Sequence, residues 1–313
     1  MDKFEVNILG CGSAKPSPVH NPSCTVVNFR DNLLMIDCGE GAQKEFQRQR
    51  LKFTRLNQIF LTHLHGDHVF GLPGLIGTMA LSGIEGDITI HTFEDGKKIL
   101  TSIFDYFNRG LPIDVKFNVI KPEEAVIYEN EVMRVRTVPL RHKIPAVGYI
   151  IEEKPRLRHI DRAMCDFHQV PMWAFNSIKS GNDFTKPDGT VIPNKLLTKD
   201  PTPPRSYAHI SDTAYIPDLA EKIKGVDLLF HESTYLEQDK DKAKERGHTT
   251  AAEAATVARD AGAGTLLLGH YSSRYKDDTV FLKEAQPIFH NILLAKEGLK
   301  VPVAHKNEDR SWS

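Results

Sequence analysis

The stretch Thr62-His63-Leu64-His65-Gly66-Asp67-His68 narrows the possible folds of this chain more than any other part of it. Three imidazoles and one carboxylate fall within six residues, directly behind the apolar run 58–62. That run reads as a short buried strand. A loop leaving a strand end can curl back on itself, so these side chains can converge on one point. Neutral imidazole and carboxylate suit zinc or a similar borderline cation. The competing reading is an exposed polar loop. An H-x-H-x-D-H pattern arises by chance in only about two chains per thousand at this composition, which favours metal.

Four donors cannot complete two metal shells, so others are expected at later strand ends. His142 follows the run ending at Val138, Asp212 follows the run 207–211, and His270 follows the run 265–268. Each alone is more often a cap or a satisfied polar group. As a set of strand-end donors they point to metal.

Strand and helix patterns alternate along the whole chain, which places it in the α/β class. Strands are expected at 4–9, 24–29, 33–36, 58–62, 88–91, 115–119, 132–138, 146–151, 207–211, 227–230 and 265–268. Helices are expected at 41–50, 72–81, 96–107, 218–223, 250–261 and 278–289. Residues 152–205 break the pattern, with weak apolar spacing and seven prolines. Such a run inside a compact domain is either functional or a variable surface insertion.

With 313 residues, 40% of them hydrophobic, the chain can bury a large core and is neither disordered nor fibrous. A formal net charge of −1 excludes a broadly basic nucleic-acid-binding surface, while 14 histidines are many for an ordinary enzyme. Cys11, Cys24, Cys38 and Cys165 lie far apart with no C-x-x-C pair, so they suggest neither a disulfide framework nor a thiolate zinc site. The first residues, Met-Asp-Lys-Phe-Glu-Val, carry charge where a signal peptide needs an apolar stretch, and no run is long enough to span a membrane. A cytoplasmic setting without a membrane partner is expected. Gly10-Cys11-Gly12 follows a strand, but Lys15 stands at the third glycine position of a dinucleotide fingerprint and Pro16 and Pro18 interrupt the helix it needs. No P-loop and no G-x-S-x-G elbow occurs.

H-x-H-x-D-H followed by a separated His, Asp and His resembles the metallo-β-lactamase superfamily. Within it, the chain resembles the ribonuclease Z family of tRNA 3′-processing endonucleases. Four further stretches carry the narrower likeness: Asp37-Cys38-Gly39-Glu40-Gly41-Ala42-Gln43, His231-Glu232-Ser233-Thr234, His248-Thr249-Thr250 and Gly269-His270-Tyr271-Ser272-Ser273-Arg274-Tyr275. The likeness runs over nearly the whole chain. It implies an αββα sandwich with a dinuclear site at its edge, one domain over 1–313 with an inserted arm at 152–205.

The resemblance also implies two Zn²⁺ per chain, one on His63, His65 and His142, the other on Asp67, His68 and His270, with Asp212 bridging. Two metals about 3.5–4 Å apart clamp the attacking and leaving oxygens of an in-line phosphoryl displacement. Asp67 would also accept a proton from the nucleophile. His248 would be the acid for the leaving 3′-oxygen, oriented by Glu232, which raises its pKa. A structural alternative stands beside that role, because Thr249 or Thr250 next to His248 can cap the Ala-rich helix that follows.

The implied substrate is precursor tRNA, cut to leave a 3′-hydroxyl, and the implied assembly is a homodimer. Near-neutral charge requires local phosphate contacts. Residues 43–55 hold Lys44, Arg48, Arg50, Lys52 and Arg55 against Glu45, and 154–162 hold Lys154, Arg156, Arg158 and Arg162 against Asp161. Solvated surface is the alternative for both runs. Arg274, beside His270, is placed to meet the scissile phosphate. Residues 152–205 lie between His142 and Asp212, where the family carries its tRNA-clamping arm. They depart from it, with Val170-Pro171-Met172-Trp173 in place of a Gly-Pro tip and a net charge of only +2. Some members of the family carry a P-x-K-x-R-N loop, and this chain reads Pro16-Ser17-Pro18-Val19-His20-Asn21 there. These departures keep open a phosphodiesterase of the same fold acting on a smaller nucleotide or phosphodiester. A non-catalytic RNA-binding protein on a decayed scaffold would lack ligands, and none of the seven is missing.

Overall fold

In the computed structural model, which describes residues 2–305, two seven-stranded sheets hold most of the chain's strands. The first runs in the order Lys300–Pro302, Phe4–Gly10, Cys24–Phe29, Asn32–Ile36, Leu56–Phe60, Gly86–Thr92, Ile113–Val119. The second runs Ile292–Leu294, Thr265–Gly269, Leu228–Glu232, Ser206–Ile210, Val147–Glu153, Met133–Pro139, Val126–Glu129. In each sheet four neighbouring strands are parallel: Asn32–Ile36 through Ile113–Val119, and Ser206–Ile210 through Ile292–Leu294. Parallel neighbours need long crossovers, which explains the helices Leu72–Leu81, Glu94–Phe107 and Ala251–Asp260 between them.

Strand Cys24–Phe29 is buried at every position because both faces of its sheet are covered. On one face Val26, Leu33, Met35, Ile59 and Ile90 form a single core with Phe46, Leu75, Ile76, Leu100 and Phe104 from the helices. On the other, the Phe60 ring meets Tyr149 of the second sheet at 5.4 Å between centroids, and the Val147 N–H donates to the Thr62 carbonyl at 2.9 Å. Helix Ala251–Asp260 packs on strands Leu228–Glu232 and Thr265–Gly269. The layers are therefore helix, sheet, sheet, helix, as an αββα sandwich requires.

The helix expected at 72–81 is found as Leu72–Leu81, whereas the one expected at 278–289 ends at Ala285. Strands Val126–Glu129, Ile292–Leu294 and Lys300–Pro302 and helix Lys240–Arg246 were not expected. The strands are three or four residues long, too short for alternation to register. The helix buries only Ala243, so it has no apolar stripe.

The chain divides into two compact units, one of them residues 152–204 with Asn130–Met133. This smaller unit has its own core of Cys165, Val170, Ala174, Ile178, Phe184, Ile192 and Leu197. Its helices are short, and Asp161 caps one of them by accepting from the Met164 N–H at 3.1 Å. Asn194 ties its turns together, donating from Nδ2 to the carbonyls of Ile178 and Asn182 at 2.6 and 2.8 Å. A core of seven residues spread over short segments leaves no periodicity in the sequence. Among the described residues, no helix is long and apolar enough to cross a membrane.

Candidate metal centre

Parallel strands end on a common edge, so residues just past their carboxyl ends are brought together. Ile210 pairs with His231 and Glu232 pairs with Gly269, which sets Asp212, Glu232 and His270 side by side at the end of the second sheet. From the first sheet, Asp37 follows Asn32–Ile36 and the histidine cluster follows Leu56–Phe60. Gly39 is required between these two loops: a Cβ there would lie 2.5 Å from the Asp67 carbonyl oxygen.

The donors form two groups. His63, His65, His142 and Asp212 place one ligand atom each within 4.8 Å of one another, and so do Asp67, His68 and His270. Asp212, 3% exposed, faces both. Its Oδ2 lies 3.6 Å from His63 Nε2 and 3.9 Å from His142 Nε2. Its Oδ1 lies 3.1 Å from His270 Nε2 and 3.5 Å from His68 Nε2. All seven donors expected from the sequence are thus brought to one place.

Hydrogen bonds behind the rings decide which nitrogen faces inward. The Thr62 hydroxyl donates to Asp37 Oδ2 at 2.8 Å, because a carboxylate only accepts. The same hydroxyl must then accept from His63 Nδ1 at 3.1 Å, leaving a lone pair on His63 Nε2. His142 Nδ1 donates to the Gly247 carbonyl at 2.8 Å, with the same result. Both Nε2 atoms abut His65 Nδ1, at 3.0 and 3.1 Å. A proton on His65 could serve only one of them, so lone pairs face each other unless a cation lies among them. In the second group, Thr234 donates to Glu232 Oε2 at 2.6 Å and accepts from His270 Nδ1 at 2.9 Å, while His68 Nδ1 donates to Asp37 Oδ2 at 2.7 Å. The Nε2 atoms of His68 and His270 are buried and make no hydrogen bond, although carboxylate oxygens of Asp67 and Asp212 face them at 3.1–3.7 Å. This donor set therefore fits metal, with Asp37 and Glu232 as the carboxylates that orient its imidazoles.

The electrostatics agree. Burial pushes His63 well below the ordinary histidine value, helped by its neighbour His68, which keeps its Nε2 free to ligate. Burial also lowers His65 and His142. For His68, burial is outweighed by Asp37 and Asp212, which hold it protonated in the metal-free chain. A cation at its Nε2 takes the place of that proton. Burial would raise Asp212, yet His270, His68 and His63 hold it well below the usual carboxylate range.

Next to Asp212, His248 Nδ1 donates to Glu232 Oε1 at 2.9 Å. Glu232, fully buried, also accepts from the N–H groups of Thr213, Thr234 and Thr249 at 2.9–3.1 Å. Burial opposes protonation of His248, but Glu232, by charge and hydrogen bond, lifts it to about 9. Helix Ala251–Asp260 is capped by Thr250 in a reciprocal box with Glu253, so capping does not engage His248. Arg274 lines a cavity of about 600 Å³ together with Lys15, Arg246 and His248. Lys154, Arg156 and Arg158 belong to the smaller unit, where Arg156 pairs with Glu153 at 3.1 Å and Arg158 with Asp200 at 2.6 Å.

Asp37, Thr62 and Thr234 were not singled out from the sequence as working residues. Asp37 follows a strand as Asp212 does, so the same strand-end signal marks it. The threonines carry no such signal, because their role depends on which carboxylate the hydroxyl meets.

A beta-lactamase superfamily domain model matches residues 196–271, and a model for the anti-Pycsar protein Apyc1 family matches residues 4–155. Ribonuclease Z of Phocaeicola vulgatus is 48% identical over 304 residues, 97% of this chain and 98% of that protein. Ribonuclease Z of Bacteroides thetaiotaomicron is 47% identical over 313 residues, covering 100% and 99%. The crystal structure of the short form of human tRNase Z superposes with a TM-score of 0.70 at 24% identity, covering 96% of this chain and 99% of that one. The metallo-β-lactamase fold protein YhfI of Bacillus subtilis superposes with a TM-score of 0.68 at 17% identity, covering 96% and 100%. The shared fold and near-half identity along the full length place this chain in the ribonuclease Z family.

Proposed function

We propose that this chain is a zinc-dependent endoribonuclease that removes the 3′ trailer from precursor tRNA and leaves a 3′-hydroxyl on the tRNA. The observation that carries the reading is Asp212, with one oxygen toward each donor group, in a chain of the ribonuclease Z family. His63, His65 and His142 would hold one zinc, Asp67, His68 and His270 the other, and Asp212 would bridge them. Two zinc ions there supply Lewis acidity at the phosphate and a water acidic enough to attack at neutral pH.

The chain's own groups do the rest. Asp67 accepts the Ala14 N–H at 2.7 Å, and although burial opposes its ionisation, pairing with His270 and His68 keeps it ionised. Ionised, it can ligate, and it would be the group that accepts the attacking water's proton. His248 presents its Nε2 proton to the departing 3′-oxygen, a poor leaving group without one. Glu232 fixes the ring and favours its charged form. Arg274, with Lys15 and Arg246, supplies positive charge beside His248 for the RNA backbone.

The smaller unit, residues 152–204, would be the tRNA-binding arm. Its Trp173 and Met172 are 80% and 73% exposed, the kind of surface on which bases stack. Lys154, Arg156 and Arg158 would meet phosphates from there. Action on tRNA suits a cytoplasmic homodimer. Deleting 157–199 is expected to weaken precursor tRNA binding by at least about tenfold, roughly 1.4 kcal/mol, in a gel-shift titration; unchanged binding would refute the arm. The thin charge of that unit, net +2 over 152–205, is what favours a smaller phosphodiester substrate instead. Incubating 3′-extended precursor tRNA with wild type and His65→Ala separates the two. A cut just after the discriminator base by wild type alone supports the proposal, and turnover of an aryl phosphodiester with no cut in the tRNA supports the alternative.

A further inference from the structure

Away from the strand-end donors, the loop after strand Phe4–Gly10 gathers a third group of ligand atoms with residues from near the far end of the chain. Cys11 is buried at the start of the loop, and His20 lies at its close. His20 Nδ1 is 3.3 Å from Cys11 Sγ and 3.1 Å from Glu297 Oε2. Cys11 Sγ is 3.7 Å from Glu297 Oε1. The other ring nitrogen, His20 Nε2, is 2.9 Å from Asp278 Oδ2. The Asn21 N–H donates to Glu297 Oε1 at 2.8 Å and holds that carboxylate in place.

One ligand atom from each of Cys11, His20 and Glu297 lies within 4.8 Å of the other two, close enough to share one ion. Zinc bonds of about 2.3 Å to sulfur and 2.0–2.2 Å to nitrogen or oxygen set neighbouring ligand atoms about 3.3–3.6 Å apart. A carboxylate on the remote nitrogen is also how a ligating imidazole is held in one tautomer. Asp278 does this for Nε2 and leaves Nδ1 to face the thiol and Glu297. We propose that Cys11, His20 and Glu297 form a zinc site separate from the dinuclear centre, with Asp278 orienting His20.

The proton balance is simple. Zinc entry releases two protons, one from the Cys11 thiol and one from His20 Nδ1, and adds two positive charges. The cluster's net charge is unchanged, so filling the site leaves no new charge buried.

The site would fasten the loop to the segment carrying Asp278 and Glu297. The same loop supplies the Ala14 N–H that holds Asp67, so the fastening reaches the catalytic edge.

Cobalt spectroscopy tests this without relying on the proposed activity. Full-length protein is stripped with chelator and reloaded with Co²⁺ alone, then with Zn²⁺ alone. The wild type is expected to show a thiolate-to-cobalt charge-transfer band in the near ultraviolet. The dinuclear donor set holds only nitrogen and oxygen, so the band reports the thiolate site. Cys11→Ser should abolish the band and lower zinc content by one ion per chain, and His20→Ala should do the same. Asp212→Asn should keep the band while losing metal elsewhere. A wild type without the band overturns the proposal, and this measurement needs no variant to fold. Persistence of the band in Cys11→Ser overturns it as well.

Discussion

Asp212→Asn is expected to lower turnover of precursor tRNA by about 10³–10⁴-fold, the equivalent of roughly 4–6 kcal/mol of transition-state stabilisation. Asparagine has the shape of aspartate but offers one ligating oxygen and an amide nitrogen without an available lone pair. Whichever way it is turned, one donor group loses its share of the bridge. It also removes a buried negative charge that faces His63, His68, His142 and His270 at 3.1–3.9 Å. Metal analysis should show at least one zinc lost relative to wild type, and kcat should fall far more than KM rises. Wild-type turnover with full metal content would remove Asp212 from the mechanism.

His248→Ala is expected to lower kcat by about 10²–10⁴-fold, the usual contribution of a positioned acid. A substrate with sulfur in place of the leaving 3′-oxygen departs without a proton, so it should be cut by the variant nearly as fast as by wild type. An equal loss on both substrates would show that His248 is structural. Glu232→Gln gives the companion test through pH. An acid must be protonated to act, so activity falls as pH rises through its pKa. Glu232 raises that pKa toward about 9 against the effect of burial, and removing its charge should move the alkaline limb of the pH–rate profile to lower pH. Glutamine cannot satisfy every donor that surrounds Glu232, so kcat and stability should be read together.

How much of this was legible from residues alone follows from distance along the chain. His63, His65, Asp67 and His68 lie within one loop, and their chemistry is visible without a fold. Asp212, His142 and His270 become visible once each is seen to follow a strand, because parallel strands share an edge. His248 and Glu232 are named by resemblance, and the hydrogen bond between them spans 16 residues of sequence. The readings fail where an element is too short or too polar to show a period, as in Lys240–Arg246, or where a small core is scattered, as in residues 152–204.

The local order of apolar and ligating residues was enough to establish an α/β chain, a metal-seeking loop and the strand ends that would complete it. Which ring nitrogen faces inward was settled by folding, because a hydroxyl's proton goes to whichever carboxylate lies beside it. Asp37 reaches Thr62 from 25 residues away, and Glu232 reaches His248 and, through Thr234, His270. The cysteines show the same limit most plainly. Spaced apart, they argue against a thiolate site, yet the sheet carries Cys11 to within 3.7 Å of Glu297, 286 residues on. Spacing in sequence reports only neighbours on one element, while a sandwich of two sheets makes neighbours of its ends.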